Sequence, residues 1–191
     1  MLTKQTILVI GTGNSAKLMT ARLAKGNYNV LLCDKDFTKA EAVVKELADN
    51  NGCCNLEAMQ CTFDGAWEAD IIIFAVDFQE QKEVARLIKE VVNQKILISA
   101  ELPSGNHHGD HSPESCEAKA LQELLPNTRI VRIFGEQPGQ YDPANDKKLP
   151  RFLIGGNDNC TVNTVIEMLG SVGFNIVRSK QAGAESDVER Q

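Results

Sequence analysis

Three short clusters in this sequence hold residues whose types and spacing could do chemistry. The first is "GTGNSA", a G-x-G-x-x-A turn formed by Gly11, Thr12, Gly13, Asn14, Ser15 and Ala16. Gly11 permits a tight turn there, Gly13 lets the backbone approach a bulky anion without a Cβ in the way, and Ala16 is small enough for close helix–strand packing. Amide groups at a helix start, with the helix dipole behind them, would hold the charge of a pyrophosphate. The second is Asp34, about 20 residues further on, where a carboxylate meets the hydroxyls of an adenosine ribose. The third is "SGNHHGDHSP" (104–113), which contains every histidine of the chain, His107, His108 and His111, together with Asp110.

The glycine motif has meaning only between a buried strand and a helix, and the surrounding sequence provides both. "TILVIG" (6–11) is a continuous apolar run ending in glycine, as expected of a strand covered on both faces. "NSAKLMTARLAKG" follows as a helix with Ala16, Met19, Leu23 and Ala24 on one face and Gly26 as its stop. Strand and helix patterns then alternate. "NVLLCD" (29–34), "LEAMQCT" (56–62), "ADIIIFAVD" (69–77), "KILISAE" (95–101), "TRIVRIFG" (128–135), "RFLIGG" (151–156) and "FNIVRS" (174–179) read as strands. Residues 38–52, "FQEQKEVARLIKEVVNQ", "SPESCEAKALQELLP" and "NCTVNTVIEMLGSVG" read as helices, with Ser112 or Ser115 as a cap for the third of these.

Such alternation predicts an α/β protein with a doubly wound, mostly parallel Rossmann sheet in one domain over 1–191, with 128–191 extending the same sheet by a strand, a helix and a strand. Any ligand then lies along the edge where the strands end. The cofactor implied is NAD or NADP. Asp34 favours NAD because it repels a 2′-phosphate, whereas Lys35, or Lys39, could pair with that phosphate. Asp34 as a turn residue and Lys35 as a solvated lysine stand as alternatives. Ala75 and Val76, at the end of the fourth strand, are small enough to let a ribose or nicotinamide pass. Asp77 is a candidate for ribose or substrate contact.

Bulk properties narrow the classes. The 191 residues carry 42% hydrophobic and 24% charged side chains and a net charge of -6. An acidic chain without a basic cluster argues against nucleic acid as partner. No apolar run approaches the roughly 20 residues of a membrane span, and the first apolar stretch is too short for a signal peptide, so a cytoplasmic protein is expected. Six cysteines, with no C-x-x-C, read as free thiols. Cys33 and Cys61 in particular read as small hydrophobes in strand-like runs. No metal site is expected: the glycines at 105 and 109 leave the histidine loop poorly preorganised, and no further histidine exists to complete a zinc site.

"ILVIGTGNSAKLMTARLAKGNYNVLLCDKD", "ADIIIFAVD", "SCEAKALQELLPNTRIVRIFG" and "RFLIGGNDNCTVNTVIEMLGSVGFNIVRSKQAG" resemble, in order, the deazaflavin (coenzyme F-420)-dependent NADP reductases. Their relatives include the cytosolic domain of the STEAP metalloreductases. The resemblance implies an NAD(P)-dependent oxidoreductase moving hydride between a nicotinamide and a flavin-like or other small-molecule electron acceptor; a symmetric homodimer is the common outcome for such domains in general. It places Gly11 to Ala16 at the phosphates, Asp34 and Lys35 at the ribose 2′-position, Ala75 and Val76 along the cofactor, and Ser99 and Ala100 near the nicotinamide. Asp77 stands where the family often has proline, and Gly135-Glu136 where it has a polar pair. The sequence ends at "AGAESDVERQ", before the longer C-terminal helix of the deazaflavin enzymes. These departures bear on the acceptor, and a non-catalytic redox sensor or reductase subunit is the rival reading. Hydride transfer asks the protein for binding, orientation and exclusion of water rather than for an acid–base pair. No catalytic residue is therefore singled out.

Overall fold

The computed structural model of the chain describes residues 4–51, 55–101, 116–135 and 151–179. Eight strands form one sheet: β1 (Thr6–Ile10), β2 (Asn29–Cys33), β3 (Leu56–Met59), β4 (Ile71–Phe74), β5 (Ile96–Glu101), β6 (Arg129–Gly135), β7 (Arg151–Gly156) and β8 (Asn175–Arg178). Their order is β3-β2-β1-β4-β5-β6-β7-β8. β1 to β6 run parallel, β7 is antiparallel to β6, and β8 is parallel to β7. The expected doubly wound, mostly parallel sheet is therefore present, and its last two strands run in reverse.

Helices cover both faces, because the central strands are apolar on both. On one face Ile7, Val9, Leu32 and Ile73 pack under α1 (Asn14–Lys25), α2 (Phe37–Asn51) and α6 (Asn159–Ser171). On the other, Leu8, Ile10, Ile72 and Leu97 pack under α3 (Thr62–Glu68), α4 (Phe78–Ile88) and α5 (Cys116–Leu124). Successive strand residues point to opposite faces, so a run such as Ile71-Ile72-Ile73 feeds both cores at once. The stripe expected for α1 is in place: Ala16, Met19, Leu23 and Ala24 are all buried, and the Gly26 N–H closes the helix on the Arg22 and Leu23 carbonyls. Aspartates start two other helices, Asp77 before α4 and Asp158 before α6, each accepting from first-turn backbone N–H groups.

Three local expectations change. The run 56–62 is not strand throughout: β3 stops at Met59, and Thr62 begins α3, which the sequence pattern did not reveal. Cys61 is consequently exposed at the start of that helix rather than buried as a hydrophobe. α4 ends at Ile88 and the chain turns back at Gln94, where φ is +63°. The histidine loop, Ser112 and Ser115, Cys53 and Cys54, and the polar stretch 136–150 lie outside the described residues.

Candidate nucleotide-binding edge

The chain leaves β3 on one side of β1 and re-enters the sheet as β4 on the other. That reversal opens a crevice beyond the C-terminal ends of β1 and β4, the place where parallel sheets of this kind take ligands. The first turn is wedged there. Gly11 has φ +116°, and a Cβ on it would stand 2.7 Å from the Ala75 carbonyl oxygen and 2.8 Å from Val76 Cγ1. Its N–H donates to the Cys33 carbonyl at 2.8 Å, and the Ala75 N–H donates to the Ile10 carbonyl at 2.9 Å. The turn is thereby tied to β2 on one side and β4 on the other.

Gly13 differs from Gly11 in every respect. It is the N-cap of α1, with φ −64° and ψ 172°, and a Cβ on it would meet nothing within 4 Å. No side chain caps α1 and no acidic residue sits in its first turn. The amide groups that open any helix lack intrahelical acceptors, so this end offers donors, a positive dipole and open space together. A pyrophosphate fits such an end. Asn14 is exposed, Thr12 and Ser15 are half-buried, and Ala16 packs fully beneath.

Asp34 is half-buried beside that turn. The Thr12 hydroxyl donates to its Oδ2 at 2.7 Å and the Asp36 N–H donates to Oδ1 at 3.0 Å. The carboxylate is thus oriented by the glycine turn itself, with lone pairs left for further donors. Lys35 Nζ lies 3.7 Å from Glu80 Oε2, and Lys39 Nζ lies 3.9 Å from Asp36 Oδ2. A hydroxyl–carboxylate hydrogen bond from Thr38 is the main reason the Asp36 carboxyl is held below its ordinary pKa. Cys33, just below Asp34, goes the other way: burial pushes its thiol up, partly offset by a hydrogen bond with Thr62.

Asp77 is exposed, and its Oδ1 accepts from the Glu80 N–H at 2.9 Å, so its visible job is to start α4. Ser99 and Ala100, on β5, are buried, and neither side chain is exposed on the crevice. The Ser99 hydroxyl instead donates to Gln81 Oε1 at 2.7 Å, and Gln81 Nε2 donates to the Val76 carbonyl at 3.0 Å. This relay, with both side chains fully buried and its Val76 end half-buried, joins the ends of β4 and β5 beneath the crevice. Sequence reasoning missed Gln81, although a polar residue on the same helical face as Ala85 and Ile88 was the available signal. It also missed Glu80. In sum, the fold gathers Gly11 to Ala16, Asp34, Lys35, Ala75, Val76 and Asp77 at one edge, and sets Ser99 and Ala100 one strand further along.

Among the described residues no cluster of three or more His, Cys, Asp or Glu side chains is placed to hold a metal, and no helix is long and apolar enough to cross a membrane. A cavity of about 620 Å³ lined by Trp67, Lys95 and Arg129 opens at the opposite edge of the sheet, far from the glycine turn.

Comparison with known proteins agrees with this geometry. The F420-dependent NADP reductase of Methanocaldococcus jannaschii is 24% identical over 174 residues, which cover 85% of this chain and 77% of that protein. Among solved structures, the 3-hydroxyisobutyrate dehydrogenase of Mycobacterium tuberculosis superposes with a TM-score of 0.70 at 16% identity, covering 95% of this chain and 56% of that one. An imine reductase variant from Myxococcus stipitatus, in complex with NAD+, gives 0.69 at 15% identity, covering 92% and 55%. The chain spans about half the length of these two structures, and the likeness is one of fold. The family model for coenzyme F420-dependent NADP oxidoreductases matches residues 6–103, the segment that builds β1 to β5 and the whole glycine-turn edge, and the chain belongs to that family.

Proposed function

We propose that this oxidoreductase lays a nicotinamide dinucleotide across the C-terminal edge of β1, β2, β4 and β5 and passes hydride between it and a flavin-like or other small acceptor. The observation that carries the reading is the start of α1. Open space at Gly13, uncapped amides and an acid-free first turn would receive the pyrophosphate on Asn14, Ser15 and Ala16. Asp34, held by Thr12, would accept from the ribose hydroxyls, and a carboxylate there favours the unphosphorylated ribose of NAD. Ala75 and Val76 would flank the dinucleotide, with the β5 backbone at Ser99 and Ala100 towards its nicotinamide.

The nicotinamide, when bound, supplies the hydride. The protein's share is to bind, orient and keep water away. The Gln81 relay serves orientation, because it fixes the Val76 carbonyl against the β5 end. The name of the Methanocaldococcus relative makes the deazaflavin F420 the first acceptor to try. Stopped-flow oxidation of NADH and NADPH with F420, free flavin and a ferric chelate tests the reading. Oxidation by at least one acceptor is expected. Tight nucleotide binding without oxidation by any of them would leave a binding module in place of an enzyme.

A further inference from the structure

Lys35 and Glu80 belong to different loops. Lys35 follows Asp34 at the end of β2, and Glu80 lies in the first turn of α4, just after β4. Because β2 and β4 flank β1 on opposite sides, their ion pair at 3.7 Å reaches across the end of β1, beside the carboxylate proposed to meet the ribose. The two partners are unequally seated. The Lys35 side chain is 75% exposed and that of Glu80 only 24%, and the Glu80 N–H is fixed by the Asp77 cap. Glu80 is the anchored member and Lys35 the long arm that it draws over. Lys39, the other lysine near Asp34, faces Asp36.

We propose that Glu80 is a specificity-determining residue for the nucleotide: by holding Lys35 across the end of β1, it withholds the cation that a ribose 2′-phosphate requires. The proposal rests on the dinucleotide reading above and deepens it. A 2′-phosphate placed beside Asp34 meets a like charge and gains stability there only from a cation. To reach it, Lys35 must leave Glu80, which then stands as a second uncompensated anion at the same mouth. An unphosphorylated ribose asks nothing of Lys35, since its hydroxyls donate to Asp34. Glu80 therefore weighs against one nucleotide and is neutral to the other.

Glu80→Gln keeps the shape and the backbone N–H that the Asp77 cap needs, and removes only the charge. Binding of adenosine 2′,5′-bisphosphate and of AMP to the full chain, measured by titration calorimetry, isolates the ribose end from the nicotinamide. The variant is expected to bind the bisphosphate about fivefold more tightly, the scale of an exposed ion pair, with AMP unchanged. The gain should be clearly smaller in a Lys35→Met background, where only the repulsion between Glu80 and the phosphate is relieved, and should shrink at high salt. An unchanged bisphosphate-to-AMP ratio, or an equal gain without Lys35, overturns the role of Glu80 while leaving the dinucleotide reading intact. Failure of the unaltered protein to bind NAD, NADP or either probe overturns both.

Discussion

Gly11 presses against Ala75 so closely that a Cβ would stand 2.7 Å from the Ala75 carbonyl oxygen. The contact is backbone on backbone, so neither side can rotate away, and the positive φ adds strain for any L side chain. Gly11→Ala is expected to destabilise the fold by about 1–3 kcal/mol from overpacking alone, with roughly 1–2 kcal/mol of left-handed strain added. Urea denaturation measures it. A loss below about half a kcal/mol would mean that β1 and β4 are not wedged apart by this residue.

Gly13 gives the opposite expectation, and the contrast separates scaffold from site. Aspartate is a preferred N-cap and its charge suits a helix start, so Gly13→Asp should keep or slightly raise the melting temperature. The same carboxylate fills the open space where a pyrophosphate would sit. Affinity for NAD and NADP should fall at least a hundredfold, read by calorimetry. Retained affinity would refute the assignment of the α1 start to phosphate.

Thr12 connects these two functions, since its hydroxyl orients Asp34 from within the turn. Thr12→Val removes that hydrogen bond at nearly constant volume. Losing it should weaken nucleotide binding about fivefold to tenfold, the scale of one ordinary hydrogen bond, with little change in melting temperature. Equal affinity in the variant would show that Asp34 is held well enough by the Asp36 N–H alone.

Much of this edge was legible because it is local in sequence. Gly11 to Ala16 sit within one turn, Asp34 follows at a fixed distance, and the strands announce themselves by apolar runs that serve two cores. What escaped was set by partners distant along the chain. α3 is short, carries Gly65 inside it, and is finished by Lys95 Nζ, which donates to the Ala66 and Trp67 carbonyls at 2.8 and 2.6 Å. No local pattern encodes that. The reversal of β7 escaped for a related reason: an apolar strand reads the same in either direction, and only its pairing with β6 fixes the sense. The pairing of Lys35 with Glu80 escaped for the same reason, because the two meet only once β2 and β4 lie on either side of β1.

Acid should loosen the α6 end in a way that can be traced to one carboxylate. The Thr161 hydroxyl, and after it the Cys160 N–H, hold the Asp158 carboxyl below its ordinary value of 3.8. A depressed folded pKa means that these bonds contribute fully above that ordinary value and are lost as the pH falls through the lower folded one. Asp158→Asn keeps a capping oxygen but cannot titrate. Its urea midpoint should therefore fall less steeply than that of the unaltered protein as the pH drops below about 4. Parallel pH profiles would count against this carboxylate, and Asp36, shifted the same way by Thr38, would be the next to replace.

The buried relay beneath the crevice makes the sharpest case for coupling. Gln81 accepts from Ser99 through Oε1 and donates to the Val76 carbonyl through Nε2, and both side chains are fully buried. Gln81→Leu strands the buried Ser99 hydroxyl and takes one partner from the half-buried Val76 carbonyl, at a cost of about 1–3 kcal/mol. Ser99→Ala alone should cost less, because only one acceptor loses its donor. Removing both should cost less than the two separate losses added together, since the double variant no longer strands the hydroxyl. Stability measured around this cycle decides whether the two residues act as one unit. Strict additivity would show that Gln81 holds the Val76 carbonyl independently of β5, and that the ends of β4 and β5 are not set by a common relay.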